Sequence, residues 1–153
     1  MLKIKGRKDL EIYFNNGNPE RFLGDVSLFG LNKDETKEAL KKPFIVNHKF
    51  EVLIEYQGKQ YYFVIPKGYT WNGANVPVFA WWIIGSSTEP RFGLASCIHD
   101  FICEHHEVIG NDRYLSTLIF ETLCLHFGKF NDLKRWAMFH SIETYQKMFG
   151  KWC

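Results

Sequence analysis

Between Phe50 and Ile65 the chain alternates apolar and polar positions on either side of a tight turn. Phe50, Val52, Ile54 and Tyr56 alternate with Glu51, Leu53 and Glu55, Gln57-Gly58-Lys59 turns the chain, and Tyr61, Phe63 and Ile65 alternate with Tyr62 and Val64. A period of two sends successive side chains to opposite faces of a strand. The segment therefore predicts a β-hairpin with one buried face, inside a β region that runs from Phe44 to Pro66. A sheet with one apolar face needs a second layer to cover it, and the rest of the chain supplies helices for that purpose.

From Arg91 onward the pattern is helical. One helix is expected from Phe92 to about Glu107, stopped by Gly110-Asn111. A second runs from Asp112 to Phe127 with Gly128 as its stop, and a third from Asn131 to Phe149, ended by Gly150. Apolar residues at Leu133, Trp136, Ala137, Phe139, Ile142, Tyr145 and Phe149 give the third a broad buried face. Before the hairpin, Gly6, Gly17, Pro19, Gly24 and Gly30 break the first thirty residues into short strand-like pieces. Asn15-Asn16-Gly17-Asn18-Pro19 is a strong turn signal, and Asp34 to Lys42 reads as a short solvated helix capped by Asp34. The expected fold is α+β: a small antiparallel sheet with a β-hairpin, then a three-helix C-terminal half. The expected organisation is a single domain over residues 1–153, mainly β over 1–70 and mainly α over 91–150.

Composition narrows the function classes. The chain has 153 residues, enough for one real core, and aromatics make up 17%, so that core is built on rings. Lys plus Arg exceed Asp plus Glu by two (19 − 17) with no basic stripe, so charge points to no nucleic-acid partner. The N-terminus has no apolar core of a secretory signal, and the longest apolar run, Val76 to Ile84, is too short to span a bilayer. A soluble protein made in a cytoplasm, without secretion by a signal peptide, is the expectation. Cys97, Cys103, Cys124 and Cys153 form no CxxC pair and are expected reduced.

Two stretches carry the chemistry. Ile98-His99-Asp100-Phe101-Ile102-Cys103-Glu104-His105-His106 holds three of the six histidines, and Val64 to Pro77 reads as a strand running into a loop punctuated by glycine and proline. Their order is a strand ending in Val64-Ile65-Pro66-Lys67-Gly68-Tyr69, a Gly73-Ala74-x-x-Pro77 loop, Trp81, then a helix with Ala95-x-x-x-His99-Asp100. This order resembles a family of small proteins of unknown function common in bacteriophages and prophages, usually labelled DUF1353. The resemblance covers about residues 63–150 and includes Phe120, Leu123 and Gly128. It implies a phage-encoded protein and carries no settled activity. The family pattern has Asp where this chain has Asn72, Ser where it has Asn75, Ala-Asp where it has Ser116-Thr117, and an aromatic where it has Cys103.

Three readings of the pair His99-Asp100 follow. On one continuous helix His99, Cys103 and His106 fall within about 60° of one another, a spacing that suits one metal or one polar pocket. As in phospholipases A2, by analogy only, His99 would act as general base on water while Asp100 holds a divalent metal or orients substrate. Trp71, Asn72, Asn75, Cys103, Thr117 and Glu121 would then line the pocket, with Thr117 and Glu121 on the facing helix. In the third reading His99 is a buried polar pin, bonded to Asn72, Asn75 or Thr117 and tying loop to helix. Loss of charge at those partner positions favours the pin. Glu104, His105 and Glu107 are placed on the wet side of the helix, His126 and His140 in helix packing, and His48 at the surface. No GxSxG, P-loop or dinucleotide fingerprint occurs.

The favoured expectation is a phage-encoded protein that acts by binding a protein partner of virion or host, with the aromatic run 76–84 (Phe79 and Trp82 above all) and the Cys153 tail as candidate contacts. The alternative is a hydrolase built on His99 and Asp100, acting on an envelope-type ester, amide or phosphoester. The sequence names no cofactor.

Overall fold

The computed structural model describes residues 1–72 and 93–128, together with Trp136, Ala137, His140, Glu143, Thr144 and Lys147. Strands β1 (Leu2–Lys5) and β2 (Glu11–Phe14) form an antiparallel hairpin. Lys8 and Asp9 turn it at φ 55° and 62°, while the Gly6 amide donates to the Leu10 carbonyl at 2.8 Å. Asn18 caps a 3-10 turn over Pro19–Phe22 by accepting the Glu20 amide, and β3 (Leu23–Asp25) follows. Helix α1 (Lys33–Lys41) buries none of its residues, in keeping with its polar sequence. Its cap is Asn32 rather than Asp34: the Asn32 side chain accepts the Glu35 amide at 2.8 Å and donates back to the Glu35 carboxylate. This is an N-cap reinforced by a side-chain bond between the cap and the third helical residue, and Asp34, two residues on, stands inside the first turn.

Strands β4 (Phe44–Val46), β5 (Phe50–Tyr56), β6 (Lys59–Ile65) and β7 (Thr70–Trp71) complete two antiparallel sheets, one ordered β1-β2-β5-β6 and the other β3-β4-β7. The β5–β6 hairpin is as expected. Gln57 and Gly58 both have positive φ, 50° and 74°, and Tyr56 pairs with Lys59. A two-residue turn of this hand matches the strand twist. Its inner face buries Phe50, Val52, Ile54, Tyr56, Phe63 and Ile65.

Helix α2 (Gly93–Glu104) and helix α3 (Arg113–Gly128) cover that face. The single helix expected to reach about Glu107 ends at Glu104. His105 leaves helical geometry at φ −133°, a 3-10 turn spans His106–Ile109, and Gly110 closes it at φ 67°. Asp112 then caps α3 by accepting the Leu115 amide at 3.0 Å. Every residue of α3 from Leu115 to Cys124 is buried, so α3 is a central helix covered all round. Helical residues recur at Trp136, Ala137, His140, Glu143, Thr144 and Lys147, in the third helix of the C-terminal half. Ala137 is buried there, but Trp136 is 60% exposed, against the expectation of a core position.

Two long-range ties fix the layers. Gly6 lies so close to α3 that a Cβ there would sit 2.3 Å from Thr122 Oγ1. Next to it Arg7 makes a two-pronged ion pair with Glu121, both N–O distances 2.9 Å. Glu121 is 1% exposed, and the planar guanidinium is the cation that best satisfies a buried carboxylate.

Candidate functional site

The site is organised along α2. In its first turn the Ser96 hydroxyl donates to the Gly93 carbonyl at 3.0 Å and accepts the Trp71 indole N–H at 3.0 Å. Trp71 is 2% exposed, stacked between Phe44 and Tyr69. Its ring is a core anchor and not a pocket wall, because its one polar atom is satisfied inside the core. It holds the end of β7 against α2.

His99 points the other way, towards α3. It is 3% exposed, its ring lies 4.8 Å from that of Phe120, and both ring nitrogens stand 3.9 Å from Cys103 Sγ. A sulfur equidistant from both nitrogens lies off the ring edge and is a packing contact more than a directed bond. Burial holds the imidazole well below its ordinary range, to about 4, so it is neutral at physiological pH. Of the expected pin partners Asn72, Asn75 and Thr117, Asn75 lies outside the described residues, and neither of the other two bonds His99. The Asn72 side chain is exposed, and the Thr117 hydroxyl turns back to the Arg113 carbonyl at 3.3 Å.

Asp100, one residue on, enters a different environment, because neighbours on a helix point about 100° apart. The Asn72 backbone amide lies towards the Asp100 carboxyl and favours its charged form, while the hydrogen bond that joins β7 to α2 is the one from the Trp71 indole to Ser96. Burial, and then the charge of Glu104, raise this carboxyl to about 7, against the smaller opposing pulls of the Asn72 amide and Lys42. Glu104 lies one turn further along α2, and Lys42 Nζ, just past α1, stands 3.6 Å from its carboxylate. The Tyr69 hydroxyl is buried and faces Glu104 without closing to a hydrogen bond. Burial, then Glu104 and Asp100, push its phenol up, so it stays protonated. Beside this group a shallow cavity of about 280 Å³ opens between α1 and β7, sharing Lys42 and lined also by Val26, Glu38, Ala39, Lys41 and Thr70. Asp100, Glu104, Tyr69 and Lys42 together present a proton-holding carboxyl, an acceptor, a phenol and a cation.

The other expected pocket residues disperse. Cys103 is half of a disulfide whose partner lies outside the described residues, while Cys97 and Cys124 are free and buried. The expectation of four reduced thiols is thus corrected, and a disulfide sulfur offers no thiolate to a metal. His106 lies beyond the end of α2 and bonds Asn111, so the spacing that would join His99, Cys103 and His106 is lost. Among the described residues no three His, Cys, Asp or Glu side chains are placed to share a metal ion. Glu121 is engaged by Arg7 rather than lining a wall opposite His99. Asn75, Phe79, Trp82 and Cys153 lie outside the described residues.

Tyr69, Lys42 and Arg7 were not singled out by sequence reasoning. The i, i+4 spacing of Asp100 and Glu104 was a readable signal that two carboxylates share one helix face. The reach of Lys42 and Arg7 had no local signal.

Compared with known proteins, residues 49–142 match a family model described as "Protein of unknown function (DUF1353)". The match begins at β5, earlier than the resemblance read from about residue 63. No curated protein and no solved structure matches the chain. No described helix is long and apolar enough to cross a membrane.

Proposed function

Because the chain belongs to the DUF1353 family, whose description assigns no activity, we propose its function from its own geometry: it acts by binding a protein partner, as a virion-associated or host-interaction protein of phage origin. The observation that carries this reading is the state of His99. A general base must reach water or substrate and hold a proton affinity near the working pH. This imidazole is buried at 3% exposure, held neutral down to about pH 4, and packed on Phe120 and Cys103. Glu121, the carboxylate expected on the facing helix, is taken by Arg7. Strand β7 is held to α2 by the Trp71–Ser96 hydrogen bond, which needs no reactive group.

A second reading moves the hydrolase from His99 to Asp100. A carboxyl raised to about 7 suits general acid–base work on an ester, amide or phosphoester, and Tyr69 and Lys42 stand beside it. One experiment separates the two: turnover of ester, amide and phosphodiester reporter substrates by the protein and by its Asp100→Asn and His99→Ala variants. The binding reading expects no turnover that either variant abolishes. Turnover lost in a folded Asp100→Asn protein would replace it with the hydrolase.

A further inference from the structure

The outer face of the four-stranded sheet carries a feature that neither the fold nor the α2 site uses. Register places Lys3, Tyr13, Leu53 and Tyr62 in one row across all four strands, and Lys5, Glu11, Glu55 and Gln60 in the next. Tyr62 is 55% exposed and its neighbour Val64 36% exposed. Glu11 stands directly opposite Glu55, an unfavourable pairing of like charges. At the β1 side that charge is answered within the chain: Lys3 Nζ lies 5.3 Å from the Tyr13 ring centroid and 3.4 Å from the Glu11 carboxylate, and the Tyr13 hydroxyl bonds Glu11. A tyrosine ring, a carboxylate bonded to its hydroxyl and an ammonium over both make a complete cation site.

The β6 side repeats the first two parts. The Tyr62 hydroxyl donates to the Glu51 carboxylate at 2.7 Å, and the Glu55 carboxylate is met by the neutral amide of Gln60 at 2.8 Å. Among the described residues no lysine or arginine stands within ion-pair distance of Glu51 or Glu55. We propose that this half of the sheet is the docking surface for a basic segment of a protein partner, with an arginine or lysine of the partner taking over Tyr62 and Glu51 the place that Lys3 takes over Tyr13 and Glu11. The inference rests on the binding reading and names its surface. Charge complementarity selects the occupant: a surface bearing Glu51 and Glu55 with an exposed tyrosine and valine between strands favours cationic side chains on an aliphatic backing.

The test is a titration of the intact ¹⁵N-labelled protein with a short peptide alternating arginine and valine, and with its glutamate–valine counterpart. The expected result is salt-sensitive shift changes confined to β5 and β6 for the basic peptide and none for the acidic one. Tyr62→Ala and Glu51→Gln should each weaken binding by about fivefold, the weight of one cation–π contact or rim ion pair. Both positions are solvent-facing, so both variants should fold, and unchanged melting checks that. Shifts centred on another surface, no shifts, or affinity unaltered by both variants would overturn this inference. Any of these would leave the binding reading standing as long as no hydrolysis is found.

Discussion

At the scale of single residues, His99 and Asp100 are adjacent in sequence and separate in role. Asn72 tests which of its groups acts on Asp100, because its backbone amide lies towards that carboxyl and its side chain is exposed. Asn72→Ala should leave stability within about 0.5 kcal/mol of the parent, as surface changes do. Asn72→Pro, which removes the amide proton, should cost about 1 kcal/mol more by taking a favourable dipole away from the Asp100 carboxyl. Thermal or urea unfolding of the two variants measures the difference, and equal effects would mean that the side chain is the group that acts. His99→Ala removes a ring packed on Phe120 and should cost about 2 kcal/mol through the cavity it leaves, with no polar group newly stranded on β7. His99→Leu, which refills that space, should recover most of the loss.

At the scale of elements, the docking of the β1–β2 hairpin on α3 depends on Gly6 and Arg7. Gly6→Ala would drive a Cβ to 2.3 Å from Thr122 Oγ1 and should destabilise by about 1–3 kcal/mol. Adding Thr122→Ala, which clears the space, should restore part of it in a double-mutant cycle. Arg7→Ala removes the two-pronged ion pair to a carboxylate that is 1% exposed and should cost about 2–3 kcal/mol, below the range for a wholly buried pair because Arg7 itself is part-exposed. The β5–β6 hairpin was legible because alternation and turn chemistry are local, and so was the start of α3 with its cap at Asp112. The end of α2 at Glu104 was not: no glycine or proline lies between Gly93 and Gly110, and the break falls at His105 without a local mark. The pairing of Arg7 with Glu121 spans 114 positions, and no periodicity records a contact of that range. In the candidate site, the carboxylate pair on α2 could be read from its spacing, while its cation, Lys42, arrives from another element.

At the scale of the whole molecule, the two buried groups give the stability curve opposite slopes. His99 has a folded pKa of about 4, below its unfolded value of about 6.5. The unfolded chain therefore binds more protons in that window, and stability is lost as pH falls from about 6.5 towards 4. Asp100 has a folded pKa of about 7, above its unfolded value near 3.8. Here the folded state binds more protons, and stability is lost as pH rises from about 4 towards 7. The parent protein should accordingly be nearly flat in stability between about pH 4.5 and 6.5 as far as these two groups govern it. Asp100→Asn should uncover a curve that rises with pH and stabilise the fold at pH 8, since a buried charge is gone. His99→Ala should uncover a curve that falls. Denaturant midpoints across pH 4–8 for the three proteins check both signs.

The central claim is that His99 is a buried, neutral packing residue uncoupled from Asp100. The most direct measurement is a side-chain NMR titration of both groups in the folded protein and in Asp100→Asn. The account predicts that the His99 imidazole stays neutral from pH 8 to below pH 5 in both proteins, while the Asp100 carboxyl carbon titrates near 7. An imidazole that titrates near its ordinary value, and moves when Asp100 is replaced, would contradict it and mark the pair as an accessible, coupled acid–base centre.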